Sequence, residues 1–260
     1  MSENLHFKTS LIFGPSGSGK TAFCASYPRV AMLSSRREGG LETVDYMDPV
    51  MFYDPKTKPL KFEVEDINSM MVTIHQRILP LVDRGIVRTI CVELTFHADD
   101  AMRKMPVDDR NGWAKYANLE QHVINLDELI KKKAGLRLVY NTLNAPEDKA
   151  KETSGVLIPG KALARKIPAM VNLTGLLRAE EGDDITERVL HLTAFGNYMP
   201  RHRYGNRLPR LVRWREPSCC FRDLEDLLFG RAKTNEEGLI ERVEGAAPLV
   251  SLPSLPPLKK

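Results

Sequence analysis

Phe13-Gly14-Pro15-Ser16-Gly17-Ser18-Gly19-Lys20-Thr21 is the stretch on which the fold turns. It fits G-x-x-x-x-G-K-[ST], the loop with which nucleoside triphosphatases cradle phosphate. Leu11-Ile12-Phe13 ahead of it reads as a short buried strand. Thr21 to Tyr27 behind it reads as a helix that stops before Pro28. Strand, glycine loop and helix is the setting the motif requires. Gly14, Gly17 and Gly19 let backbone N–H groups turn toward a phosphate that a side chain would obstruct. The helix start contributes unpaired donors and the positive end of its dipole. Pro15, Ser16 and Ser18 complete the binding turn, Lys20 is expected to reach the β- and γ-phosphates, and the Thr21 hydroxyl to hold Mg²⁺. The expected ligands are therefore ATP and Mg²⁺.

Working outward, 260 residues with 42% hydrophobic content suit one α/β domain with a substantial core. No apolar run approaches a membrane span, and Met1-Ser2-Glu3-Asn4 has no signal-peptide character, so no membrane partner is expected. The four cysteines lack C-x-x-C spacing. Cys24 and Cys91 sit in apolar segments as buried thiols, and the adjacent Cys219 and Cys220 read as free thiols in a reducing cytoplasm. A net charge of +4 does not by itself imply nucleic acid; the distribution of charge matters more.

Val30 to Ser34 is the next strand, running into Ser35-Arg36-Arg37-Glu38-Gly39-Gly40. A polar end at the carboxyl edge of a parallel sheet is where α/β folds bind ligands. Glu38 is thus a candidate to polarise the water that attacks the γ-phosphate, against a solvated loop glutamate. Residues 45–65 read as an irregular connection with room for short strands. Apolar spacing from Asp66 to Arg84 predicts a helix, with Pro80 kinking its last turn. Thr89 to Thr95 has the form of a Walker B strand, with Glu93 where aspartate is usual, and so a candidate for the metal shell. Residues 96–112 are expected to be a polar connection, with His97, Asp99 and Asp100 in a solvated loop. Trp113, Tyr116, Leu119, Val123, Leu126 and Ile130 trace one face of a long helix ending at Gly135.

Leu136 to Thr142 is a third core strand, in which Asn141 or Thr142 is placed to hydrogen-bond the attacking water or the γ-phosphate. Residues 143–166 form an expected long functional loop with Lys161, Arg165 and Lys166. Asn172–Ala179 and Thr186–Phe195 read as a hairpin. Arg201, Arg203, Arg207, Arg210, Arg213 and Arg215 follow without an intervening acid, interleaved with Tyr204 and Trp214. Arginine among aromatics suits a phosphate backbone and stacked bases; one of these arginines could instead reach a γ-phosphate, in its own subunit or a neighbour's. A flexible Pro-rich tail is expected over 231–260, leaving 1–230 as the ATPase domain.

With these pieces in order, the sequence resembles the phage-type RecA-like ATPases of single-strand annealing, a P-loop family with an AAA-type domain label. The resemblance runs from about Thr9 to Phe229. It rests on the phosphate loop, the strand leading to Glu38-Gly39-Gly40, the Trp113–Tyr116 helix start, Pro159-Gly160-Lys161-Ala162-Leu163 and Arg203-Tyr204-Gly205. It implies a RecA-like α/β fold, a mostly parallel central sheet with flanking helices and a C-terminal antiparallel hairpin. It also implies ATP hydrolysis with Glu38 as the water-activating group and Asn141 as the γ-phosphate sensor. The implied partners are single-stranded DNA held by loops 96–112 and 143–166, a single-strand-binding protein, and further copies in a ring or filament. In such an assembly Arg201 and Arg203 match where a neighbouring subunit brings positive charge to ATP. The implied role is annealing, recombination or repair, in the host cytoplasm if the chain is phage-encoded. Two rival readings remain: a P-loop kinase with the 201–215 arginines as a lid, and a nucleotide-switched binding module without significant turnover. No Asn-Lys-x-Asp element follows a strand, which disfavours a GTPase.

Overall fold

The computed structural model describes residues 6–35, 40–104, 112–181, 186–215 and 220–243. In chain order the elements are β1 (Thr9–Gly14), α1 (Lys20–Ala25), β2 (Val30–Ser35), α2 (Gly40–Thr43), β3 (Leu60–Val64), α3 (Ile67–Thr73), α4 (Leu79–Asp83), β4 (Thr89–Glu93), α5 (Leu94–Lys104), α6 (Gly112–Lys132) and β5 (Arg137–Leu143). They continue with α7 (Glu147–Thr153), α8 (Lys161–Met170), β6 (Leu173–Glu181), β7 (Thr186–His191), β8 (Arg201–His202), β9 (Leu211–Arg215), α9 (Phe221–Leu228), β10 (Ala232–Thr234) and β11 (Ile240–Arg242).

One sheet organises the chain, in the order β3-β2-β4-β5-β1-β6-β7-β9, with β8 paired to the start of β6. Every pairing from β3 to β6 is parallel; β7, β8 and β9 are antiparallel. This is the α/β class expected from the sequence, a mostly parallel central sheet with flanking helices. The strands β1, β2 and β4 are buried at every residue, which is why they read as unbroken apolar runs and not as alternating ones. Helices cover both faces. On one, Leu11, Leu33, Ile90, Val92, Leu138 and Tyr140 pack with Met70, Leu94, Ala98, Leu119, Val123, Leu126 and Ile130. On the other, Ile12, Met32, Cys91, Val139 and Leu177 pack with Phe23 and Cys24 of α1 and Phe221 and Leu224 of α9. Adjacent residues of one strand thus serve opposite cores, as a two-residue repeat dictates.

Several local expectations change. The helix predicted over 66–84 is interrupted by one wide π turn, Ile74–Ile78, just ahead of Pro80. A proline lacks the N–H the ladder needs and crowds the preceding turn, so the irregularity falls before it. Residues 96–104 are not a polar connection but most of α5. Leu94, Ala98 and Ala101 recur at helical spacing and are buried, and His97 is 0% exposed. The polar side chains between them concealed that face. Residues 143–166 likewise carry α7 and the start of α8. Residues 105–111 lie outside the described residues, as does the side chain of Trp113. The expected C-terminal antiparallel hairpin is present as β6–β7.

Past residue 230 the chain is not irregular at once. β10 and β11 pair, and Arg231 Nε donates to Asp226 Oδ1 at 2.8 Å while Arg242 Nη2 donates to Asp223 Oδ1 at 2.8 Å. Acids on α9 therefore fasten this hairpin, and the tail expected from 231 loses its first part to folded structure. Residues 244–260, with Pro248, Pro253, Pro256 and Pro257, lie outside the described residues. Among the described residues no helix is long and apolar enough to cross a membrane.

Candidate nucleotide site

Because β1, β2, β4 and β5 are parallel, their last residues meet at one edge of the sheet. Glu93 is in register with Asn141, and Asn141 with Ile12, so the three form one row beneath the loop that leaves Gly14. Cys91 and Val139 pack toward α1; two residues later, Glu93 and Asn141 face the same way.

The loop itself has the conformation its glycines allow. Gly17 (φ 77°) and Gly19 (φ 87°) are left-handed, a region L side chains rarely enter. Gly14 is needed for a different reason: a Cβ there would lie 2.0 Å from the Leu177 carbonyl oxygen. Gly19 ends the loop as the residue before α1 and, as glycine, supplies no side-chain cap to that helix start. Pro15, Ser16 and Gly17 are exposed at the tip, Ser18 is buried, and Thr21 is half-buried in the first turn of α1. Lys20 is 8% exposed and its Nζ donates to the Pro15 carbonyl at 2.7 Å; the Ser18 N–H donates to the same oxygen at 3.3 Å. Two donors, one of them charged, converge on a point inside the loop. Ser18 Oγ is also buried and has no hydrogen-bond partner among the described residues. Convergent donors, left-handed glycines and a buried hydroxyl with bonding capacity left over fit a phosphate chain, with Thr21 as the group that would hold Mg²⁺.

Asn141 and Thr142, alternatives at the level of sequence, are separated by the pleat. Thr142 faces away from α1, where its hydroxyl oxygen accepts from Thr95 Oγ1 at 3.1 Å and its own Oγ1 donates to the Leu143 carbonyl at 2.9 Å. Asn141 is 3% exposed on the α1 side, and its Oδ1 has no partner among the described residues. Asn141 is the one available to a ligand. A buried, unpaired amide oxygen destabilises a fold by about 1–3 kcal/mol. Asn141→Ala should therefore leave thermal stability unchanged or slightly raised while slowing ATP turnover by on the order of tenfold. Paired melting and steady-state assays check the two opposite signs; a stability loss with unaltered turnover would refute a sensor role.

Glu93 is 4% exposed and its two oxygens accept from the N–H groups of Thr95 (2.9 Å) and Phe96 (3.0 Å). Its carboxylate thus caps the start of α5, where the helix dipole favours a negative charge. That capping role was not legible in a strand-plus-carboxylate pattern, because the sequence gives no sign that a helix begins at Leu94. Among the described residues no group of three or more His, Cys, Asp or Glu is arranged to hold a metal ion. Glu38 lies outside the described residues; the chain before it is anchored, since Ser35 Oγ donates to Asp100 Oδ2 at 3.1 Å. His97, one turn before Asp100 and fully buried, is pushed down to about 4 by burial and is neutral at ordinary pH.

The basic residues expected at a polyanion are largely committed within the fold. Arg201 Nε donates to the Pro168 carbonyl (3.2 Å) and Arg203 Nη2 to that of Ala169 (2.8 Å), satisfying the open carbonyl end of α8. Arg213 pairs with Glu180 and Glu187, and Arg215 with Glu187. Lys161 pairs with Glu152, Lys166 pairs with Glu120, and Arg165 Nε donates to the Glu152 carbonyl at 2.7 Å. Arg207 stands on the exposed turn Gly205–Arg207. The interleaved aromatics are structural. Trp214 is 3% exposed with Nε1 donating to Asp223 Oδ2 at 2.8 Å, and the Tyr204 hydroxyl accepts from the Phe7 N–H at 2.6 Å. Neither is a free stacking platform, which corrects the reading of that stretch. The residue that sequence reasoning missed is Arg188. Its Nη1 donates to the Gly17 carbonyl at 2.9 Å. Nothing in its local sequence sets it apart from other strand arginines.

No protein-family model matches the chain, and no curated protein matches it. Among solved structures, a KaiC-like protein from the hyperthermophilic archaeon Pyrococcus horikoshii is similar over 75% of this chain and 82% of that one. The two are 13% identical, with a TM-score of 0.42.

Proposed function

We propose that this chain binds Mg·ATP at the Gly14–Thr21 loop and hydrolyses it. The observation that carries the reading is the convergence of Lys20 Nζ and the Ser18 N–H inside a loop held open by left-handed glycines. Lys20 would neutralise charge growing on the β- and γ-phosphates, which is the main work a protein does in phosphoryl transfer. Mg²⁺, when bound, would supply further charge neutralisation and align the phosphate oxygens. Thr21 would hold it and Glu93 would flank it, with both oxygens keeping α5 in place. Asn141 would accept from the attacking water through its Oδ1, which has no partner among the described residues, and Glu38 would orient that water. Assembly into a ring or filament would let a cationic side chain of an adjoining copy complete the site, and Arg207 on its exposed turn is the arginine best placed for that.

Single-stranded DNA is the partner this reading favours, in annealing, recombination or repair of phage type. Its support is the set of exposed cations, Lys161, Arg165, Lys166, Arg201, Arg203 and Arg207. Lys161 and Lys166 sit in exposed ion pairs, which contribute only about 0–1 kcal/mol, so these two can exchange an internal acid for a phosphate at little cost. A second reading, a nucleotide-switched binding module, is favoured by one observation: both Glu93 oxygens are engaged by α5.

ATP turnover with and without single-stranded DNA, across a salt series, tests these together. Hydrolysis is expected, with DNA stimulation that falls steeply as salt rises. Glu38→Gln is expected to lower turnover by about a hundredfold with ATP still bound. No turnover in the wild type despite tight ATP binding would favour the switch, and transfer of phosphate to a small acceptor would favour a kinase.

A further inference from the structure

The β6–β7 hairpin outruns the strand beside it. Leu176 is in register with Phe13, the residue before the end of β1, and with His191 across the hairpin. Arg178 to Glu181 and their partners Thr186 to Val189 therefore continue past the sheet edge, alongside the phosphate loop. Leu190 packs into the core that holds α1, so Arg188, two residues earlier, faces that same side. Its cross-strand neighbours are Ala179 and Trp214. From there its guanidinium reaches the loop. Nη1 donates to the Gly17 carbonyl at 2.9 Å, and Nε lies 3.2 Å from where a Cβ on Gly19 would stand.

We propose that Arg188 is a positioning residue for the phosphate loop, acting in the same subunit by fixing the Gly17–Ser18 peptide. This rests on the Mg·ATP reading above. In a trans peptide the C=O and the following N–H point in opposite directions. Drawing the Gly17 oxygen outward to the hairpin therefore turns the Ser18 N–H inward, where it meets the Pro15 carbonyl beside Lys20 Nζ. Glycine at 17 makes reversal of that peptide cheap. Reversal would aim a carbonyl oxygen at a triphosphate and remove a donor from the cradle, so a fixed cation on the outer side biases the loop toward its anion-binding form. The same contact ties nucleotide affinity to the position of the hairpin, and by linkage bound nucleotide would steady the hairpin.

The test compares wild type, Arg188→Ala and Arg188→Lys for ATP and ADP affinity, and for KM against kcat. Arg188→Ala is expected to weaken both nucleotides by about tenfold, the loss of one charge-assisted hydrogen bond, raising KM with kcat nearly unchanged. Arg188→Lys should recover most of the affinity, because an ammonium can donate to the same carbonyl. Unchanged or tighter binding by Arg188→Ala would overturn the proposal. Loss of kcat with affinity intact would overturn it too, in favour of direct contact with the reacting phosphate. A wild type that binds neither nucleotide would sink the Mg·ATP reading itself, an outcome visible before any variant is compared.

Discussion

Lys20→Ala is expected to abolish measurable nucleotide binding while leaving the fold intact. The ammonium would make charge-assisted hydrogen bonds to two phosphates. At roughly 1.5–3 kcal/mol for each such bond, their loss weakens ATP by on the order of a hundredfold or more. ADP should suffer less, since one of the two phosphates is missing. Stability is a separate matter. The Lys20 side chain donates to the Pro15 carbonyl, and that oxygen also accepts from the Ser18 N–H, so truncation leaves it with a donor. The melting temperature should move by only a few degrees, corresponding to about 1 kcal/mol. Calorimetric titration with ATP and a thermal melt decide the case. Full ATP affinity in a folded Lys20→Ala protein would remove the loop from the site.

The largest expected loss of stability is at the opposite edge of the sheet. Arg137 opens β5 and its Nη2 pairs with Glu225 Oε1 on α9 at 2.7 Å, with side chains 9% and 5% exposed. The Tyr53 hydroxyl donates to Glu225 Oε2 at 2.7 Å, and the Arg137 guanidinium lies 5.6 Å from the centroid of the Phe221 ring. The pair joins the first core strand after α6 to α9, the last helix among the described residues. Its net contribution, measured against two apolar residues, is small, because both charges lost their hydration to form it. Removing one partner is another matter. Glu225→Ala leaves a guanidinium buried without its counter-charge and a phenol without its acceptor, costing about 3–5 kcal/mol and lowering the melting temperature by on the order of 10 °C. Replacing both, as Arg137→Met with Glu225→Leu, should restore most of that loss. Chemical denaturation of the single and double variants separates the terms. A Glu225→Ala protein within about 1 kcal/mol of wild type would mean that water reaches the pair.

These predictions draw on different levels of information. Lys20 could be singled out from the sequence because the loop motif is local: nine consecutive residues contain the turn, the charge and the hydroxyl proposed to hold a metal. Glu225 could not, because its partner is 88 positions away and nothing near either residue announces the pairing. The same division runs through the site. Asn141 was narrowed from a pair of candidates by the pleat of β5, which sends neighbouring residues to opposite faces. Glu93 looked like a metal ligand on strand pattern alone, and its second function, capping α5, depends on a helix starting where polar residues hid the apolar spacing.

The basic stretch after residue 200 makes the point from the other side. Counted along the chain, Arg201 to Arg215 with Tyr204 and Trp214 looks like one surface for a polyanion. Folded, Arg201 and Arg203 close the end of α8, Arg213 and Arg215 neutralise Glu180 and Glu187, Trp214 lies in the core, and Arg207 remains on an exposed turn. Density of charge along a sequence says little about density on a surface when alternate residues of a strand face opposite ways.

What the sequence by itself determined was the kind of fold and the place of the glycine loop ahead of α1, because hydrophobic runs, helical spacing and glycine geometry act over a few neighbouring residues. Which carboxylate caps, which amide oxygen lacks a partner among the described residues and which arginine reaches the loop were decided by the tertiary structure. Those depend on register and on strands brought together from distant parts of the chain. Arg188 and Gly17 meet across 171 positions only because β6 outruns β1 and β7 folds back along it.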